Sequence, residues 1–187
     1  MIGIDINWTS NMFPELETDR FILRQLQMED APQMYRYFSL DEVTKFYDIE
    51  THTSEKEAAD LIKQLSYRYS NGEQIRWGIT FKNSNEIIGT CGLHEIEREH
   101  FKAEIGYELH PDYWGKGIMS EVITKVVEYA FSYMGLHRVE AFYHPLNIAS
   151  KKALEKSGFQ YEGLLRKRFF VKGRFMDVEI SSIIKEE

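Results

Sequence analysis

The chain has 187 residues, with 23 Lys plus Arg against 30 Asp plus Glu, a formal net charge of −7. That length is enough for a full hydrophobic core, and a single domain over 1–187 is expected, with its core at about 16–184. The acidic balance argues against non-specific nucleic-acid binding and favours a cationic ligand such as an amine. Cys91 is the only cysteine, which excludes an intrachain disulfide and a cysteine metal cluster. The run 1–7 lacks the basic and apolar regions of a secretion signal. No apolar stretch approaches the roughly 18 residues of a bilayer span, so a cytoplasmic protein with no membrane partner is expected.

In chain order, Arg20-Phe21-Ile22-Leu23-Arg24 gives the first strand signal. Residues 30–40 read as a helix with Pro32 in its first turn. Ser54 and Glu57 have capping-box spacing before a helix that runs to about Ser70 and stops at Asn71-Gly72. Strands then dominate. Ile75, Trp77, Ile79 and Phe81 alternate with polar or small residues, and Asn83-Ser84-Asn85 marks a turn. Residues 87–93 are small or apolar on both faces, as in a strand buried on both sides. Phe101, Ala103, Ile105, Tyr107 and Leu109 form the cleanest period-2 pattern of the chain.

A helix follows, with Met119, Val122, Ile123, Val126, Val127, Ala130 and Met134 at helical spacing and Gly135 at its close. A strand over 138–143, a short helix over 147–157 and a hairpin turning at Lys172-Gly173-Arg174 complete the chain. The order βααβββαβαββ predicts an α/β (α+β) fold: a mixed, mostly antiparallel sheet of about seven strands with helices on both faces.

The richest segment is His110 to Glu121. Gly115 and Gly117, one residue apart at the mouth of the long helix, let backbone N–H groups turn toward one point, with the positive end of the helix dipole behind them. Such a socket suits a phosphate or pyrophosphate. On the strand before it, Glu104, Glu108 and His110 share the face opposite the apolar one. Ionised carboxylates there would be costly without partners, so they are expected to face a wet cleft. Asn147 has the character of an N-cap, and Ser150 falls at the N3 position of the same helix. Cys91 is expected in the core, and His94, His100, His137 and His144 have no metal spacing. Asp177 fits either a hairpin residue or a groove acid.

These segments together resemble the GNAT acetyltransferase superfamily, whose motif is Arg/Gln-x-x-Gly-x-Gly/Ala at a strand-to-helix junction. Here it reads Asp112-Tyr113-Trp114-Gly115-Lys116-Gly117, so both glycines match and Asp112 departs. The Tyr/Trp-Gly-Lys-Gly run, the first strand at 16–24, Ala103-Glu104-Ile105-Gly106-Tyr107, Asn147-Ile148-Ala149-Ser150, Glu155 to Phe159 and the hairpin at 173–177 are similar to the subgroup that acetylates N-termini of ribosomal proteins.

The resemblance implies an acetyl-CoA-dependent N-acetyltransferase in which an amine attacks the thioester directly within a ternary complex, with no acetyl-enzyme and no metal. It implies that backbone amides of Gly115, Lys116, Gly117, Ile118 and Met119 hold the pyrophosphate, with the Lys116 charge and the Ser120 hydroxyl nearby. The backbone around Leu109 would meet the acetyl carbonyl or pantetheine arm, and Asn147 would touch that arm. Glu104 becomes the candidate base and Glu108 a second one. Ser150 becomes the candidate proton donor, because Leu154 stands where many members carry a tyrosine acid.

The implied acceptor is a protein or peptide N-terminal α-amine, on a monomer or homodimer. An α-amine, with a reference pKa of about 7.7–8.0 against about 10.4 for lysine, leaves a useful neutral fraction near pH 7. The alternatives are a polyamine or antibiotic amine, and a non-catalytic acyl-CoA sensor. A nucleotide-phosphate protein has no Gly-x-x-x-x-Gly-Lys-Ser/Thr pattern to support it.

Overall fold

The computed structural model describes residues 12–186; the run 1–7, considered above as a leader, lies outside them. Eight strands form one sheet: β1 (Leu16–Glu17), β2 (Phe21–Gln25), β3 (Ile75–Phe81), β4 (Gly89–Glu97), β5 (Lys102–Leu109), β6 (Arg138–Tyr143), β7 (Gln160–Val171) and β8 (Arg174–Ile184). Their spatial order is β1-β2-β3-β4-β5-β6-β8-β7. Every pairing is antiparallel except β5 with β6. The eighth strand is the two-residue β1, too short for a period-2 signal.

The helices are α1 (Ala31–Phe38), α2 (Asp41–Thr44), α3 (Glu55–Ser70), α4 (Ile118–Ser132) and α5 (Ile148–Lys156). Pro32 sits in the first turn of α1, where its missing N–H costs nothing. The capping box of α3 closes one residue early. Glu57 accepts from the N–H and hydroxyl of Thr53 at 2.7 and 3.0 Å, while the Ser54 side chain makes no cap bond.

The helix α4 buries Ile118, Val122, Ile123, Val126, Val127, Tyr129 and Ala130, against Trp77, Cys91, Ala103, Ile105 and Val139 of the sheet. Each of the Val and Ile side chains among them contributes about 1.5–3 kcal/mol of transfer free energy. A smaller cluster forms around α1 and α3, from Met34, Tyr37, Phe38, Ala58 and Ile62 with Leu26 and Ile87.

One feature of the sheet places the site. The strands β5 and β6 pair only at Lys102–Arg138, Ala103–Val139 and Glu104–Glu140. Beyond Glu104, β5 stays with β4, from Ile105–Leu93 to Leu109–Gly89. Meanwhile β6 stays with β8 as far as Tyr143–Glu179. The sheet therefore opens into a gap between β5 and β6, above their last shared pair.

Candidate active site

A cleft of about 990 Å³ occupies that gap, and residues of both sheet faces line it. Glu104, Gly106, Arg76, Thr90 and His94 reach it from the α1–α3 side. Tyr107, Asn147 and Ser150 reach it from the side of α4 and α5. Across the top, the Phe46 ring stacks on His144 with centroids 5.0 Å apart. The Lys172 ammonium, at the turn of the last hairpin, donates to the Thr44 carbonyl at 2.9 Å.

Glu104 is half-buried, and its carboxyl is pushed up to about 7, first by desolvation and then by the charges of Glu95 and Glu140. His94, opposite it in the β4–β5 register, has Nδ1 3.9 Å from the Glu104 Oε2. Burial and the charges of Arg76 and Arg68 hold His94 down to about 4. The pair is therefore a neutral imidazole beside a carboxylate that titrates near neutrality.

Glu108 differs from the expectation of a wet-cleft carboxylate. It is 5% exposed and pairs with the Arg76 guanidinium. Thr90 donates to its Oε1 and Tyr47 to its Oε2 at 2.9 Å; Tyr37 stands 3.4 Å from Oε1. The partners that a buried charge requires are supplied from β3, β4, α1 and the α2–α3 connection, so burial replaces solvation. Burial, and then the charge of Glu108, hold the phenols of Tyr37 and Tyr47 protonated. His110 turns away to the loop, where its Nδ1 accepts from the Asp112 N–H at 3.2 Å.

Alternation places Tyr107 on the core face, where its ring packs, and its hydroxyl reaches past the core to stand 2.6 Å from the Ser150 Oγ. Desolvation pushes its phenol up, with the Ser150 hydrogen bond opposing, so the group stays protonated across the physiological range. Asn147 caps α5 by accepting from the Ser150 N–H at 3.1 Å. Leu154 is 1% exposed in the core and brings nothing polar to the cleft.

At Leu109 the main chain is free on one side. His110 donates to the Ile88 carbonyl at 2.8 Å, which makes Leu109–Gly89 a non-hydrogen-bonded pair of the ladder. The N–H and C=O of Leu109 therefore point away from β4, toward the gap. The C=O accepts from the Trp114 indole at 2.7 Å, fixing the loop that follows.

In that loop, Gly115 and Gly117 have φ of +73° and +70°, and nothing lies within 4 Å of where a Cβ would stand on either. Gly117 is also the N-cap of α4 and supplies no capping side chain. The first N–H groups of that helix have no intrahelical acceptor. An exposed positive-φ cradle with free amides and a helix dipole fits a pyrophosphate. The backbone is anchored from outside: Arg20 pairs with Glu121 at 2.7 Å and donates to the Lys116 carbonyl at 3.3 Å. The Lys116 ammonium lies 5.5 Å from the centre of the Tyr113 ring. The Ser120 hydroxyl lies 3.5 Å from the Ala153 carbonyl of α5, directed between the helices. Among the described residues no cluster of His, Cys, Asp or Glu is placed to hold a metal, and no helix is long and apolar enough to cross a membrane.

The acetyltransferase (GNAT) domain family matches this chain over residues 20–160. The chain is a GNAT acetyltransferase. A Bacillus subtilis (strain 168) relative, the uncharacterized N-acetyltransferase YoaA, is 45% identical over 174 residues, covering 93% of this chain and 98% of that protein. The [ribosomal protein uS5]-alanine N-acetyltransferase of Escherichia coli (strain K12) is 25% identical over 174 residues, with 90% and 89% covered. RimL, a ribosomal L7/L12 α-N-protein acetyltransferase solved in complex with coenzyme A, shares the fold with a TM-score of 0.82 at 20% identity, with 91% and 98% covered.

The structure of this acetyltransferase brings Glu104, Glu108, Asn147 and Ser150 to the cleft, and leaves Gly115 to Ser120 at its loop and helix mouth. It adds Tyr107, Arg76, His94 and Tyr47, which sequence patterning did not select. One signal for Tyr107 was available: a tyrosine at an apolar-face position carries a hydroxyl that must find a partner. Asp177 accepts from the Lys167 N–H at 2.8 Å, where that residue has φ of +50°. It holds an irregularity of β7 within the hairpin.

Proposed function

We propose that this acetyltransferase moves an acetyl group from acetyl-CoA to a primary amine, the N-terminal α-amine of a protein or peptide, by direct attack in a ternary complex. The observation that carries the reading is the gap between β5 and β6. It joins a carboxylate on one sheet face, Glu104, to a hydroxyl pair on the other, Tyr107–Ser150. The two reactants enter from opposite faces and meet in the gap.

Acetyl-CoA supplies the acyl group as a thioester. The amides of Gly115, Lys116, Gly117, Ile118 and Met119 hold its pyrophosphate, and Asn147 borders the path of the pantetheine arm. Glu104 takes a proton from the acceptor ammonium. Its titration near 7 matches an α-amine, at about 7.7–8.0, far better than a lysine at about 10.4. The amine then forms the new C–N bond, with the Leu109 N–H as main-chain donor to the carbonyl oxygen as charge develops there. When the C–S bond breaks, the leaving sulfur takes a proton from the Tyr107–Ser150 pair; the second proton shed by the nitrogen as it becomes an amide passes through water to restore that pair, and the proton on Glu104 leaves to solvent. Glu108 acts through Arg76 and Tyr47, holding the cleft wall in place.

A second reading, a polyamine acceptor, draws support from the acids Asp48, Glu57, Asp60 and Glu95 along the cleft. Incubation with labelled acetyl-CoA and a panel of N-terminal peptides, polyamines and aminoglycosides separates the two. The proposal expects label on peptides; label confined to polyamines supports the second reading, and label on no amine overturns both.

A further inference from the structure

Two residues that line the same cleft, Gln74 and His52, each carry a buried polar atom, Nε2 and Nδ1, without a hydrogen-bond partner among the described residues. Gln74 is 4% exposed and His52 8%. A buried donor left unpaired forfeits its hydration without compensation, and native proteins retain few of them. Because Gln74 belongs to the wall of a substrate-sized cleft, a bound acceptor can supply the missing partner.

The register says where Gln74 stands. It immediately precedes β3, whose first pair is Ile75–Leu93, so the next step of the ladder sets Gln74 beside His94. His94 in turn pairs with Glu104. Ile75 and Leu93 point into the core around α4, and alternation sends Gln74, His94 and Glu104 to the other face, where all three line the cleft. They form a row across β3, β4 and β5, with Gln74 two strand spacings, about 10 Å, from Glu104 in the backbone. The first two carbonyl oxygens of a peptide lie roughly 3–7 Å from its α-amine. An acceptor amine at Glu104 therefore presents a peptide carbonyl between the two side chains. A polyamine of the same length has no carbonyl to offer.

We propose that the Gln74 carboxamide recognises the acceptor, donating from Nε2 to one of its first main-chain carbonyl oxygens while the α-amine stands at Glu104. This rests on the α-amine reading above and makes Gln74 the residue that selects a peptide over a simple amine. His52, whose imidazole is kept neutral by burial, offers the same cleft a second unpaired polar atom, suited to a peptide N–H farther along.

The test is calorimetric binding of a short peptide amide to the full chain in its complex with CoA, which permits no turnover. The comparison peptides carry a trans-alkene isostere in place of the first or the second peptide bond, which keeps shape and removes one carbonyl. The wild-type protein should lose about tenfold in affinity on one of these replacements, the worth of one buried hydrogen bond. Gln74→Leu should bind the parent about tenfold more weakly and no longer tell it from that isostere, with CoA affinity unchanged. Gln74→Glu, which keeps the shape and removes the amide donor, should do the same. Equal wild-type binding of parent and isosteres overturns the proposal, as does discrimination that persists in Gln74→Leu, or no binding of any peptide. Peptides that bind with discrimination but are never acetylated overturn the α-amine reading alone. Peptides acetylated without discrimination overturn the Gln74 assignment alone.

Discussion

The hydroxyls of Tyr107 and Ser150 stand 2.6 Å apart, one toward the end of β5 and the other in the first turn of α5. They reach each other because the sheet has parted between β5 and β6. On the proposed mechanism this phenol, kept protonated by burial and in contact with the Ser150 hydroxyl, is the proton source for the leaving thiolate. Tyr107→Phe should lower kcat about 10²-fold or more with the KM for acetyl-CoA nearly unchanged. Ser150→Ala should cost less, and the double variant should lose less than the product of the two. Steady-state kinetics of the three variants check this; additive effects would separate the two hydroxyls.

On the proposed mechanism Glu104 sets the acid limb of the pH profile. With its carboxyl at about 7, kcat/KM should rise with pH through about 7 as the base form appears, and Glu104→Gln should lose that limb while keeping the one that belongs to the amine. Stability runs the other way. The folded carboxyl holds its proton to higher pH than the unfolded one, so native stability falls as pH rises between the ordinary carboxyl value of 4.5 and about 7. Thermal melts at pH 5 and pH 8 should show Glu104→Gln gaining on the wild type far more at pH 8 than at pH 5.

Gly117 has positive φ in open space. A side chain there meets no protein atom but carries a backbone strain of roughly 1–2 kcal/mol, and it projects into the anion cradle. Gly117→Glu should therefore weaken CoA binding at least tenfold through bulk and charge, with a melting temperature only a few degrees lower. Unchanged CoA affinity by calorimetry would refute the loop assignment.

Arg76 and Glu108 form a buried pair with Tyr47 and Thr90 as hydrogen-bond partners. Removing one charge leaves the other buried alone, at about 3–5 kcal/mol. Arg76→Met should lower the urea midpoint strongly, and Arg76→Met with Glu108→Leu should recover much of the loss. A double variant no better than the single would mean that the hydrogen bonds, rather than the charges, dominate.

The sequence makes the periodic parts of this molecule legible. The strand over 102–109 and the apolar face of α4 follow from alternation and helical spacing, and the Gly115–Gly117 mouth from backbone geometry that only glycine adopts at no cost. The cleft is harder to read because it depends on an unpairing. Nothing in residues 105–109 or 141–143 says that β5 and β6 part after Glu104–Glu140, and without that gap Tyr107 counts as core. Glu108 misleads for a related reason. Patterning places the carboxylate on the correct face but cannot see Arg76, Thr90, Tyr47 and Tyr37 converging from four separate segments to seal it.

The central claim is that the gap between β5 and β6 acetylates an α-amine. Fragmentation mass spectrometry of a peptide bearing one free N-terminus and one internal lysine, after incubation with the protein and acetyl-CoA, tests it most directly. A single acetyl group is expected on the N-terminal nitrogen, absent with Glu104→Gln over the same time. Acetyl on the lysine alone, or CoA bound tightly with no acetylated peptide, would contradict it.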